Sequence, residues 1–135
     1  MILIVCVDDR NGMLFHERRQ SQDRLLREHI LKRTSGNTLW MNRYSYGQFR
    51  EENCTRIKIW EHFPDGPQPG EYCFVEDMDV APYESLFEKI ILYKWNRQYP
   101  SDLSFSLDLS GWVLTESLDF AGSSHERITE EVYIK

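Results

Sequence analysis

The sequence predicts an α/β domain: a mixed sheet with helices on both faces, ending in an antiparallel C-terminal hairpin. Three observations carry this reading. Ile2 to Val7 (ILIVCV) is a continuous apolar run, the pattern of a strand covered on both faces. The segment QDRLLREHILKR places Leu26 and Ile30 on one helical stripe. Trp112 to Phe120 and Arg127 to Ile134 are strand-like stretches joined by AGSSHE, as in an antiparallel pair.

Taken in order, the first strand runs into Asp8-Asp9-Arg10-Asn11-Gly12, a turn, and then into MLFHERRQSQ, which has no clean period and reads as loop. Ser21 is placed to cap the first helix, and Thr34-Ser35-Gly36-Asn37 closes it. Thr38 to Met41 is a short apolar strand, after which Ser45 caps a short helix through Phe49. Arg56 to Phe63 alternates like a strand near a sheet edge. Pro64 to Gly70 (PDGPQPG) is the strongest loop in the chain. Tyr72 to Val75 returns to strand, central or edge. Asp79 then caps a helix with Pro82 in its first turn and Tyr83, Leu86, Phe87 and Ile90 on one face. Ile90 to Trp95 is a further strand, and SDLSFSLDLSG fits neither period.

A chain of 135 residues is expected to form a single domain, residues 1–135, with a core that needs no metal or disulfide. With 16 Lys plus Arg against 22 Asp plus Glu, the net charge is -6 and the basic residues are scattered outside Arg18 to Arg27, which speaks against nucleic acid as a partner. The apolar N-terminal run is too short for a membrane span and lacks the basic leader and cleavage site of a signal peptide. Cys6, Cys54 and Cys73 are odd in number and widely spaced, which fits a reducing cytoplasm. No CxxC, HxH or HExxH spacing is present, so no metal site is expected.

Several segments, in this order, resemble the dihydrofolate reductase family. MILIVCVDDRNG is similar to its first strand and loop, Met13-Leu14-Phe15 to the segment that follows, and Asp23 to the acidic residue at the start of its first helix. Met41-Asn42-Arg43-Tyr44-Ser45-Tyr46 resembles the end of the second strand, while EKIILYKW, SGWVLTESLDF and ITEEVYIK resemble the last three strands. The likeness covers both ends of the chain and is weak in the middle, as for a divergent, shortened member. It implies a flat heterocycle held against Val7, Phe15, Asp23 and Leu26, with Asp23 positioning and protonating it, and NADPH held by Arg43, Ser45 and Tyr46.

Helical geometry agrees that Asp23 shares a stripe with Leu26 and Ile30, within about 60°. The same residue also reads as a first-turn acid favouring a helix N-terminus, and Arg43 as a surface residue paired with an acid. Most tryptophans belong to apolar-periodic segments and read as core, with Tyr44 and Tyr46 as the exposed pair.

The sequence departs from the family at two places. Asn42 stands where the family has a glycine. Asp77-Met78-Asp79 stands where the family has a Gly-Gly bend whose amides receive phosphate, and carboxylates there repel a diphosphate. The leading expectation is therefore a non-catalytic protein that binds a small flat ligand or a protein through a remnant cleft, with cofactor none or unknown and NADPH entering only under the alternative. An NAD(P)H-dependent reductase of a pterin-like heterocycle is the alternative. A metal-dependent hydrolase built on Asp8, Asp9, Glu51, Glu52, Asp77 and Asp79 ranks below it.

Overall fold

A computed structural model describes residues 1–135. Strand β1 (Ile2–Val7) is the centre of the sheet. After it come β2 (Gly12–Phe15), β3 (Arg18–Arg19), helix α1 (Arg24–Arg33), β4 (Leu39–Met41), helix α2 (Arg43–Phe49), β5 (Ile57–Ile59) and β6 (Tyr72–Phe74). The chain continues through β7 (Lys89–Lys94), β8 (Leu103–Ser104), β9 (Val113–Phe120) and β10 (Ile128–Ile134). Seven strands form the main sheet in the order β5-β4-β6-β1-β7-β10-β9, and β3-β2-β8 form a second, three-stranded sheet.

From β5 to β7 all neighbours are parallel; β10 pairs antiparallel with both β7 and β9. Tyr72 to Phe74 therefore lies inside the sheet, between β4 and β1.

The two-residue side-chain period of β1 divides the core. Leu3, Val5 and Val7 face one apolar cluster with Cys73, Val75, Ile90, Leu92 and Phe87. Ile2 and Ile4 face the other, with Leu26, Ile30, Phe49, Phe74 and Ile91. Helices α1 and α2 cover this second face, and the first is covered by a 3-10 segment at Ala81–Leu86 and the small sheet. Trp60, Trp95 and Trp112 are all under 10% exposed, as core residues should be.

Four local expectations change. The cap of α1 is Asp23 rather than Ser21: its backbone is extended and its carboxylate accepts from the Leu26 amide. Asn42 rather than Ser45 caps α2, accepting from the Ser45 amide, and this leaves Ser45 buried within the helix. Residues 13–22, read as loop, contain a hairpin closed at His16-Glu17, both in the left-handed region at φ 50° and 62°. The helix expected after Asp79 is a six-residue 3-10 segment, because β7 opens at Lys89 opposite Ile2 and leaves no length for an α-helix through Ile90. The stretch of unassigned period supplies β8 and a 3-10 turn at Leu109–Gly111.

Candidate functional site

The chain leaves β1 for one side of the sheet and returns through β7 on the other, so the carboxyl ends of these two strands form a topological switch point. Asp8, the first residue after β1, organises that end. Its Oδ1 accepts from the Arg10 and Gly12 amides at 2.9 and 2.7 Å, and its Oδ2 from Gln20 Nε2 and the Tyr99 amide at 3.0 and 3.1 Å. Burial would raise the Asp8 carboxyl, but the amides of Tyr99, Gly12 and Arg10 outweigh it and hold the group below its ordinary value.

Gln20 and Tyr99, fixed in this way, form part of the wall of a cavity of about 530 Å³, together with Phe15, His16, Arg18, Arg19 and Pro100. The His16 ring stacks on Phe15 at 3.8 Å, at the strained hairpin tip. Gln20 Oε1 is buried with no hydrogen-bond partner. The cavity thus offers cationic side chains and aromatic faces, with one unpaired acceptor buried in its wall.

Beside it, Asp23 is buried and saturated. Oδ1 accepts from the Leu26 and Ser123 amides at 3.1 and 2.9 Å and from Ser123 Oγ at 3.1 Å. Oδ2 accepts from the Ser124 amide at 2.7 Å and lies 3.0 Å from His125 Nδ1. Burial pushes this carboxyl up, yet the bonds from Ser123, His125, Ser124 and Leu26 prevail and hold it well below the carboxylate range. The other ring nitrogen of His125, Nε2, meets Ser21 Oγ at 3.2 Å and Tyr99 Oη at 2.9 Å.

At the end of β6, Glu76 and Asp77 are paired within the chain. Arg19 donates to Glu76 through Nε and Nη2 at 3.0 and 3.2 Å, a two-pronged ion pair, while Gln48 Nε2 adds a third bond at 3.0 Å. Asn42 Nδ2 reaches both Asp77 oxygens at 3.0 and 3.1 Å. The guanidinium of Arg19 also lies over the Tyr44 ring, 4.4 Å from its centre. The mouth of the parallel block is therefore occupied by the chain's own carboxylates and their partners.

Of the residues the resemblance singled out for substrate, Phe15 alone lines the cavity. Val7 and Leu26 point into opposite core clusters, so they do not wall one ring together. Asp23 has its oxygens engaged by the chain. Arg43 is exposed and borders a separate depression with Asn42, Tyr44, Trp60, Glu61 and His62. Ser45 is buried with its Oγ unpartnered, and its amide is already donated to Asn42. Tyr46 packs on the core, and Tyr44, half-buried, takes the Arg19 amide on its hydroxyl at 2.7 Å, so these two are not an exposed aromatic pair. Arg43, Ser45 and Tyr46 thus do not converge.

Sequence reasoning passed over His125, Tyr99, Glu76 and a second polar cluster on the α1 face, where Tyr93 donates to Glu130 at 2.7 Å and His29 lies 2.8 Å from the same oxygen. These partners are 26 to 104 residues apart in the chain, so no local spacing announces them. The nearest signal was a histidine beside two serines in AGSSHE, a small polar loop with a titratable ring. No group of three or more His, Cys, Asp or Glu gathers so as to hold a metal ion, and no helix is long and apolar enough to cross a membrane.

No family model matches the chain, and no curated protein matches it. Among solved structures it is similar to the dihydrofolate reductase from Enterococcus faecalis complexed with NADP(H) and RAB-propyl, with a TM-score of 0.70. The match covers 98% of this chain and 94% of that one at 11% identity. A likeness at that identity is one of fold: the chain has a distant dihydrofolate reductase-like fold, a mixed α/β sheet with helical segments on both faces.

Proposed function

We propose that this domain binds a small anionic, planar molecule in the cavity between Phe15 and Tyr99, and does not carry out dinucleotide-dependent reduction. The observation that carries this is the ion pair of Glu76 with Arg19, beside the pair of Asp77 with Asn42, in the bend where the family resemblance calls for glycine amides. A diphosphate there would meet two carboxylates, and separating Arg19 from Glu76 to admit it strands a charge that is only 7% exposed. Fold similarity is compatible with lost chemistry, since function resides in the site.

The cavity supports the ligand class. Arg18 supplies positive charge at the rim, and Phe15, His16 and Tyr99 supply ring faces. The odd, unpaired cysteines fit a cytoplasmic setting for the proposed binding.

Titration with NADPH, followed by tryptophan fluorescence, tests the first half. No change at millimolar cofactor is expected, and micromolar binding would restore the reductase reading. A thermal-shift series with benzoate, nicotinate and uridine monophosphate tests the second half: stabilisation that is lost in Arg18→Ala is expected.

A protein partner is the second reading. It is favoured by the eight-residue edge strand β9, on which Val113, Leu114 and Leu118 are 58, 46 and 50% exposed.

A further inference from the structure

Ser21, His125 and Asp23 stand in the order of a nucleophile, a base and an orienting acid. The Ser21 Oγ to Nε2 distance is 3.2 Å and the Nδ1 to Asp23 Oδ2 distance is 3.0 Å. The ring is held on both sides of this line: it is 4% exposed, stacks on Trp95 at 4.5 Å and 24°, and faces an Asp23 fixed by three backbone amides and one hydroxyl. A carboxylate accepts only, so Nδ1 is the donor to Asp23, and in the neutral ring Nε2 turns its lone pair toward Ser21 and Tyr99.

A structural staple between α1 and the 122–125 loop accounts for the Asp23 bonds. It does not require the outer nitrogen of the ring to face a half-exposed serine hydroxyl, next in sequence to the cavity-lining Gln20.

We propose that Ser21 is a nucleophile activated by His125, with Asp23 as the positioning residue, and that the chain transfers acyl groups from small carboxylic esters. In the first step Ser21 Oγ bonds to the ester carbonyl carbon while its proton passes to Nε2. The carbon–oxygen bond to the leaving alcohol then breaks, and Nε2 returns the proton to that alcohol. Water, deprotonated by the same nitrogen, next attacks the acyl-serine, which releases a carboxylic acid and regenerates Ser21. No redox partner is needed. Tyr99 competes for the Nε2 lone pair at 2.9 Å and so restrains Ser21 at rest.

The test is labelling of the full chain with an alkyl fluorophosphonate, read by intact mass and peptide mapping. Ser21 Oγ displaces fluoride from phosphorus, which does not depend on the anion-binding reading above; failure of the thermal-shift series leaves this result untouched. A single adduct on Ser21 is expected, absent in Ser21→Ala. The rate should fall about a hundredfold in His125→Gln. Because that variant removes a buried ring, Tyr99→Phe provides the fold-sparing arm: freeing the lone pair should accelerate labelling by at least about threefold. No adduct on Ser21 after hours at millimolar probe, labelling of equal rate in a folded His125→Gln, or an unchanged rate in Tyr99→Phe each overturns the proposal.

Discussion

Replacing Asp23 by Asn separates a structural carboxylate from one kept for a ligand. The wild-type group takes five hydrogen bonds, three from backbone amides, at 2.7 to 3.1 Å. An amide of the same shape keeps an oxygen for only one side. If that oxygen stays with Leu26 and Ser123, its NH2 faces the Ser124 amide, donor against donor, and His125 must change tautomer to accept from it.

The lost charge-assisted bond to Ser124 is worth roughly 1.5–3 kcal/mol, and the remaining bonds weaken toward neutral strength. A total near ~3 kcal/mol follows, against about 5–15 kcal/mol for a whole domain, and the expected fall in melting temperature is on the order of 10 °C. Urea unfolding followed by tryptophan fluorescence is a suitable assay, since Trp95 stacks on His125 and reports on this corner. A carboxylate held in reserve for a ligand is usually a cost to stability, and its neutral isostere then leaves stability equal or improved. An Asp23→Asn midpoint at or above wild type would therefore refute the assignment of Asp23 to the α1–loop junction.

Three other outcomes follow from the same contacts. Gly122→Ala should lose about 1–3 kcal/mol in the same urea assay, because a Cβ there meets the Asp23 carboxylate and, at 2.9 Å, Ile128 Cδ1, whereas Gly47→Ala in α2, with nothing within 4 Å, should gain about 0.4–1 kcal/mol. Glu76→Ala should cost about 2–4 kcal/mol by leaving the Arg19 guanidinium, 20% exposed, without its partner, and the double variant with Arg19→Met should recover much of that loss in a thermal melt. Acid should destabilise the fold. Asp8, Asp23 and Glu130 all sit below their ordinary values when folded, so the unfolded chain binds more protons in acid. Their contribution is complete above the unfolded carboxylate values, about 4, and drains away as pH falls from there toward the folded ones, which chemical denaturation at a series of pH values will trace.

The parts of the fold legible in the sequence are those whose cause is local or repeats with a period. Ile2 to Val7 announces a doubly covered strand because both faces are apolar, and it is the centre of the sheet. The C-terminal pair was readable from two strand-length segments and a polar connection, and it forms with Ile128 opposite Phe120. Capping was less legible. Ser21 and Asp23 are both good caps, and the choice between them is made by Ser123 and Ser124, about a hundred residues away. The hairpin at His16-Glu17 lacks the Asn-Gly signal such turns usually carry, and its strands have no apolar alternation. Pro82 read as the first turn of a helix, and it does open a helical segment, but a 3-10 one that ends at Leu86, three residues before β7 begins. The acidic character of the bend after β6 was visible in Asp77, and with it the repulsion of a diphosphate, but the partners that hold the acids there were not. Glu76, the better buried acid, was passed over because its partner Arg19 belongs to a segment read as loop.

The two polar centres answer the same problem in opposite ways. The turns that leave the carboxyl ends of parallel strands carry amides without ladder partners, and such a turn takes an anion or is closed from within. At β6 this chain closes it from within: Glu76 and Asp77 provide the negative charge, and Arg19, Gln48 and Asn42 bind them. At β1 the Asp8 carboxylate does the same for the turn amides, yet its second oxygen is spent on Gln20 and Tyr99, whose far sides open to the cavity. The first centre therefore ends in a finished ion pair, while the second ends in groups with capacity to spare: the free Gln20 oxygen, and the Nε2 lone pair shared between two hydroxyls. Buried polar networks are stable when every member is satisfied, so unspent capacity at the cavity edge is the physical reason to look for chemistry at the end of β1 and not at the end of β6.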